Sequence, residues 1–181
     1  MIRQFFILMY KITGWKIKGD RPSVPKYILI VAPHTSYWDF PVGWAAKTIL
    51  RLKGVFLGKA ELFKTPVIGW ILKKMGGVPV DRSKNTKLVD FVADLFKRHE
   101  ELAVVLTPEG TRSYVPKWKT GFYYMALTSE VPIVMVGFDF KHKVVELKEP
   151  FYPTGNLEAD MDFILDYFRG VAGKYPHLGV R

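Results

Sequence analysis

The chain has 181 residues, 49% hydrophobic and 15% aromatic, enough to bury one substantial core and too few for two ordinary domains. It contains no cysteine, which excludes disulfides, thiolate metal sites and a cysteine nucleophile and suits a reducing, cytoplasmic setting. The formal net charge of +10 favours an anionic partner, either a phospholipid surface or a nucleic acid, and charge alone does not choose between them.

Half of that charge lies in the first 26 residues, where Arg3, Lys11, Lys16, Lys18, Arg21 and Lys26 face only Asp20. Phe5 to Tyr10 run without a polar residue, and on a helix Ile2, Phe5, Phe6, Met9 and Ile12 share one face opposite Arg3, Gln4 and Lys11. The pattern predicts an amphipathic helix over residues 1–14, lying in an anionic membrane surface or packing on the domain's own core. Trp15 at its end favours the membrane interface. The apolar stretch is far shorter than the ~20 residues that span a bilayer and lacks the cleavage site of a signal peptide, so a peripheral protein is expected.

Residues 15–181 read as one domain without repeats, low-complexity tracts or linkers. Apolar runs rich in β-branched residues alternate with helical patterns, the mark of an α/β fold with a mostly parallel central sheet flanked by helices. Strands are predicted at Tyr27 to Ala32, Val55 to Gly58, Ala103 to Leu106 and Ile133 to Gly137, with Lys143 to Lys148 as a late edge strand. Helices are predicted at about 40–52, 66–74, 119–129 and 158–171, the last with Met161, Ile164, Leu165 and Phe168 on one face. Another follows the capping-type residues Ser83 and Asn85, with Leu88, Phe91, Val92, Leu95 and Phe96 at helical spacing.

Two polar clusters sit just past strand ends, where ligands bind in open α/β sheets. In Pro33-His34-Thr35-Ser36-Tyr37-Trp38-Asp39, a histidine suited to proton transfer stands five residues before a carboxylate that can fix its tautomer if the chain turns sharply. In Thr107-Pro108-Glu109-Gly110-Thr111-Arg112, Gly110 permits a tight turn and offers a backbone N–H to a phosphate or oxyanion, while Arg112 supplies a planar charged fork. Alternatively Glu109 and Arg112 pair with each other. A third stretch, Gly76-Gly77-Val78-Pro79-Val80-Asp81-Arg82, brings an arginine, and Lys59 ends the run from Val55. Singly these cations read as solvated charges; together, three beyond neighbouring strand ends can close around one phosphate.

In this order the elements resemble the glycerolipid acyltransferase family, which includes lysophosphatidic acid and glycerol-3-phosphate acyltransferases. His34 to Asp39 match its first motif, HX4D; Gly77 to Arg82 resemble its second, Glu109-Gly110-Thr111-Arg112 its third, and Val131-Pro132-Ile133-Val134 its fourth. The resemblance covers about residues 15–150 and implies that family's fold. It implies His34 as general base, Asp39 as the residue orienting it, and Lys59, Arg82, Glu109, Gly110, Thr111 and Arg112 as the acceptor's phosphate site. It also implies phospholipid biosynthesis at the cytoplasmic face of the membrane, with acyl-CoA or acyl-ACP (acyl carrier protein) as co-substrate, no cofactor, and a lysophosphatidic acid-like acceptor or, with the same chemistry, glycerol-3-phosphate, another lysophospholipid or a hydroxylated amino-acid lipid.

Ser36 is the serine to suspect as a nucleophile, but no Gly-x-Ser-x-Gly elbow occurs, which favours direct transfer over an acyl-enzyme. No helix-turn-helix, zinc-finger or ribonucleoprotein motif supports a nucleic-acid partner, and neither a Gly-x-Gly-x-x-Gly turn nor a Walker loop is present. His99, His142 and His177 are isolated in the sequence, so no metal site is expected.

Overall fold

The computed structural model describes the backbone of residues 1–80 and 85–181 and the side chains of residues 1–80 and 88–181. In chain order its elements are α1 (Ile2–Thr13), β1 (Lys16–Lys18), β2 (Lys26–Ala32), α2 (Asp39–Ile49), β3 (Gly54–Lys59), a 3-10 turn (Ala60–Lys64), α3 (Pro66–Lys74), β4 (Gly77–Val80), α4 (Asn85–Arg98), β5 (Leu102–Leu106), α5 (Gly121–Ser129), β6 (Ile133–Asp139), β7 (Val144–Leu147), α6 (Leu157–Arg169) and a second 3-10 turn (Pro176–Leu178). One seven-stranded sheet runs in the order β1-β7-β6-β2-β5-β3-β4. All its pairings are parallel except β6 with β7. The α/β architecture with a mostly parallel sheet is thus as the sequence predicts.

Strand β2 is apolar almost throughout because both faces of the sheet are covered there. On one face Ile28, Ile30, Val104, Ile133 and Met135 pack against Val92 and Phe96 of α4, Tyr123 of α5, and Ile164 and Phe168 of α6. On the other, Leu29, Val31, Ala103, Val134 and Val136 pack under Tyr10 of α1 and Ala45 and Ala46 of α2. Helix α3 shares this second face. The Phe40 and Phe56 rings meet across α2 and β3, and Phe63, just before α3, lies over Gly58 on the same side.

The late strand is not at the edge. β1 pairs parallel to β7 outside it, with lysines flanking Ile17 at the exposed margin, a composition that discourages further strand addition. Its three residues were too short and too polar to register as a strand. Of the predicted apolar face of helix α1 only Phe6 turns inward, beside Tyr10, and Arg3 donates to the Ile49 carbonyl. Ile2, Phe5, Leu8, Met9 and Ile12 remain exposed. The helix thus packs on the domain through Phe6 and Tyr10 and still presents the apolar side read from the sequence. Trp15 stands edge-on to Phe140, with ring centroids 4.9 Å apart, so it packs against the domain instead of standing free as an interface anchor.

Strands β2 and β5 are parallel neighbours with Ile30 opposite Leu106. The segments leaving their carboxyl ends, after Ala32 and after Leu106, therefore emerge side by side.

Candidate active site

The turn after β2 brings His34 and Asp39 together. His34 Nδ1 lies 2.9 Å from Asp39 Oδ2, and that same oxygen accepts the backbone N–H groups of Thr35 and Ser36, each at 2.9 Å. Asp39 is buried at the first turn of α2, where the helix dipole favours a negative charge. A carboxylate already accepting two amides can only accept from the ring, so Nδ1 carries the proton and Nε2 of the neutral imidazole is left with its lone pair free. The buried Ser36 hydroxyl accepts from Trp38 N at 3.1 Å, which commits it to the turn.

Glu109 joins this loop to the one after β5: its Oε1 accepts the His34 N–H at 2.9 Å. Glu109 and Arg112 do not pair with each other; the Arg112 guanidinium instead lies 4.0 Å over the Tyr37 ring, and its buried Nε has no partner among the described residues. Burial pushes the Glu109 carboxyl up to about 7, against the lowering effect of the amide from His34. A carboxyl raised on folding holds a proton in the native state that the unfolded chain has released. Its contribution is therefore full below about 4.3, the unfolded value, and is lost as pH rises through about 7. Glu109→Gln keeps an acceptor for His34 N–H without that titration. Urea melts should show wild type losing up to ~3 kcal/mol relative to the variant between mildly acidic and mildly alkaline pH. Parallel pH profiles would mean that Glu109 ionises freely in the fold.

Gly110 adopts φ +68, the left-handed conformation that glycine tolerates. Its N–H donates to the Thr107 carbonyl at 3.0 Å and is spent on the turn, so it is not the free oxyanion donor the sequence suggested. What its missing side chain provides is room: a Cβ there would stand 3.1 Å from Lys119 Nζ.

Both loops open on one cavity of about 1420 Å³, lined by His34, Asp39, Lys59, Gly110, Thr111 and Arg112 among others. Glu109 is not part of that lining. Lys59 is largely exposed, with Nζ 3.8 Å from Glu61. Arg82 and Ser83 lie outside the described residues. Lys117 and Lys119, which flank the buried Trp118, also line the cavity. The sequence reading missed both, and the only signal was the alternation of cations around an aromatic residue. The lining also includes the apolar side chains of Phe40, Trp44, Leu50, Phe56, Leu62 and Val105.

This arrangement fits a base acting on a substrate with an anionic head and an apolar tail. A family model described as Acyltransferase matches residues 16–139, more than half of the chain and inclusive of both loops. The chain belongs to the acyltransferase family.

Among curated proteins, this acyltransferase is 25% identical over 155 residues to 1-acyl-sn-glycerol-3-phosphate acyltransferase of Haemophilus influenzae, covering 81% of this chain and 63% of that one. It is 27% identical over 161 residues to the lyso-ornithine lipid O-acyltransferase of Pseudomonas aeruginosa, covering 86% of this chain and 59% of that one. The chain thus spans less than two thirds of the length of either relative. In fold it is similar to the crystal structure of the 1-acyl-sn-glycerophosphate (LPA) acyltransferase, PlsC, from Thermotoga maritima. That likeness has a TM-score of 0.61 at 19% identity, over 92% of this chain and 74% of that one.

Proposed function

We propose that this protein moves a fatty acyl group from acyl-CoA or acyl-ACP to the hydroxyl of a lysophosphatidic acid-like acceptor, at the cytoplasmic face of a membrane, in phospholipid biosynthesis. The observation that carries this reading is the His34–Asp39 pair opening on a large cavity whose lining combines many apolar side chains with Arg112 and Lys59. The acceptor hydroxyl donates a hydrogen bond to His34 Nε2, and its oxygen attacks the thioester carbonyl carbon as the proton passes to the ring. The tetrahedral adduct then expels the thiolate, which takes that proton from the imidazolium. The products are an ester and a free thiol, with His34 restored. Asp39 holds the ring and stabilises the imidazolium. The commitment of Ser36 to its turn supports direct transfer over a covalent acyl-enzyme. The chemistry needs no cofactor.

In this reading Arg112, with Lys59, Thr111 and Arg82, binds the acceptor's phosphate, Gly110 shapes the turn that presents them, its own N–H being taken by Thr107, and Glu109 braces the loop that carries Arg112. The test is acyl transfer to a panel of glycerol-3-phosphate, lysophosphatidic acid, other lysophospholipids and a lyso-ornithine lipid. Arg112→Ala should raise KM for the phosphate-bearing acceptor ~10-fold with a smaller change in kcat, and Arg112→Lys should recover part of it. An unchanged KM would reassign this loop to structure. The similarity to a lyso-ornithine lipid acyltransferase favours an amino-acid lipid as the second acceptor to consider; preference for it with no dependence on Arg112 would select that reading.

The membrane partner is supported by how charge and apolar surface coincide. Residues 1–19 and 40–80 hold eleven lysines and arginines against Glu61 alone, so the whole net charge of +10 resides in those segments. They include α1 and α3, whose exposed apolar residues are Ile2, Phe5, Leu8, Met9 and Ile12 on the first and Val67, Ile68, Trp70 and Ile71 on the second. Among the described residues no helix is long and apolar enough to cross a bilayer. Sedimentation with anionic vesicles should fall ~10-fold for Ile68→Glu combined with Trp70→Glu, and should weaken with salt. Equal binding to zwitterionic vesicles would leave the basic residues without this role.

A further inference from the structure

The segment after α6 lies outside the residues 16–139 matched to the family, yet it touches the loop that carries the proposed base. Val171 packs against the core, and the Ala172 carbonyl accepts Phe140 N–H at 2.8 Å. The chain then passes directly behind Pro33 and Thr35. Gly173 is buried, and a Cβ there would stand 2.8 Å from Thr35 Oγ1, 3.0 Å from Thr35 Cγ2 and 3.2 Å from Pro33 Cβ. Two residues later Tyr175 N–H donates to Thr35 Oγ1 at 3.2 Å. Thr35 is only 2% exposed, and its own N–H is one of the two amides that hold Asp39 Oδ2. Further on, the Arg181 guanidinium lies 4.3 Å over the Tyr114 ring, two residues past Arg112.

We propose that residues 171–181 form a strap that sets the geometry of the catalytic loop, with Gly173 and Tyr175 as positioning residues acting on Thr35, and through it on Asp39 and His34. The chain of contacts is short and made of stiff parts: strap backbone to the Thr35 side chain, Thr35 amide to the Asp39 carboxylate, carboxylate to imidazole. Thr35 is β-branched and buried between the strap and the turn, so a push on its side chain moves its backbone. Gly173 is glycine because the strap runs too close to Thr35 for a methyl group. Its backbone is outside the left-handed region, so alanine there acts by contact alone.

The kinetic arm of the test rests on the acyl-transfer reading; the spectroscopic arm does not. Gly173→Ala should lower kcat about 10- to 100-fold per folded molecule with KM for both substrates unchanged, because a sub-ångström displacement of the base affects the reacting geometry more than binding. In proton NMR with nitrogen-labelled histidine, the Nδ1 proton of His34, assigned by its absence in His34→Ala, should be sharp and downfield in wild type. It should broaden or vanish in Gly173→Ala. Thr35→Val, which removes the acceptor for Tyr175 N–H, should act like Gly173→Ala, while Thr35→Ser should restore both readouts. If Gly173→Ala does not fold, the two Thr35 variants decide alone. The strap has no such role if Gly173→Ala and Thr35→Val keep wild-type kcat and a sharp resonance, if activity falls only with the folded fraction, or if Thr35→Ser fails as Thr35→Val does. Should wild type transfer no acyl group to any acceptor, the resonance by itself still tests the strap.

Discussion

His34→Ala should lower kcat for acyl transfer by at least ~10³-fold, within the range expected for losing a positioned general base. KM for both substrates should change little, since the ring binds neither the anionic head nor the apolar tail. The fold should survive. The His34 side chain is 18% exposed, and Asp39 keeps the amides of Thr35 and Ser36 as partners when the ring is gone. The cost to stability should be within ~1 kcal/mol. The measurement is steady-state acyl transfer alongside a thermal melt and vesicle sedimentation on the same preparation. Activity within a few-fold of wild type, with fold and membrane binding intact, would remove His34 from the chemistry. Partial recovery on adding imidazole would separate the lost base from any repacking of the loop.

Why His34 stands out differs from why the strands do. Central parallel strands such as Tyr27 to Ala32 were legible because burial on both faces demands unbroken apolar runs. The paired loops followed from the strand ends. That β2 and β5 are neighbours, which turns two weak clusters into one site, is not written in either cluster. It depends on β5 returning between β2 and β3. Short polar β1 left no periodic signal, whereas the apolar face read for α1 was legible, since Ile2, Phe5, Met9 and Ile12 stand exposed together and only Phe6 turns inward.

Within the site, the residue types were legible and their partners were not. Gly110 looked like an amide donor, and its amide is consumed by Thr107. Glu109 looked like part of the phosphate site, but it is not part of the cavity lining and its carboxyl accepts the His34 N–H. Lys119 reaches Gly110 from nine residues along the chain, too far for local pattern to reveal. Gly173 offered no signal at all, since its role depends on a loop roughly 140 residues earlier, the sequence separation across the Tyr175 to Thr35 bond.

Asp39→Asn should lower kcat by about 10²- to 10³-fold and also destabilise the protein by about 1–3 kcal/mol, the penalty for a buried polar group without a partner. The two effects have one origin. Asp39 Oδ2 gathers three donors, while Oδ1 is buried with no partner among the described residues. An amide must put oxygen at one position and NH2 at the other. With oxygen facing the three donors, the ring keeps its tautomer, but the NH2 is buried unpaired and no negative charge remains to stabilise the imidazolium. With NH2 facing them, two backbone N–H groups lose their acceptor, and the ring is driven to the tautomer with its proton on Nε2, which disables the base. The backbone donors therefore select the first orientation, and the kinetic loss should be smaller than in His34→Ala. Asp39→Ala should combine a comparable rate loss with a larger drop in melting temperature, because both amides are then orphaned in a buried turn. Nitrogen-resolved NMR of His34 alongside kcat would check the order. A proton found on Nε2 in Asp39→Asn, with a rate loss equal to that of His34→Ala, would show that the amide flips and that the backbone donors do not control it.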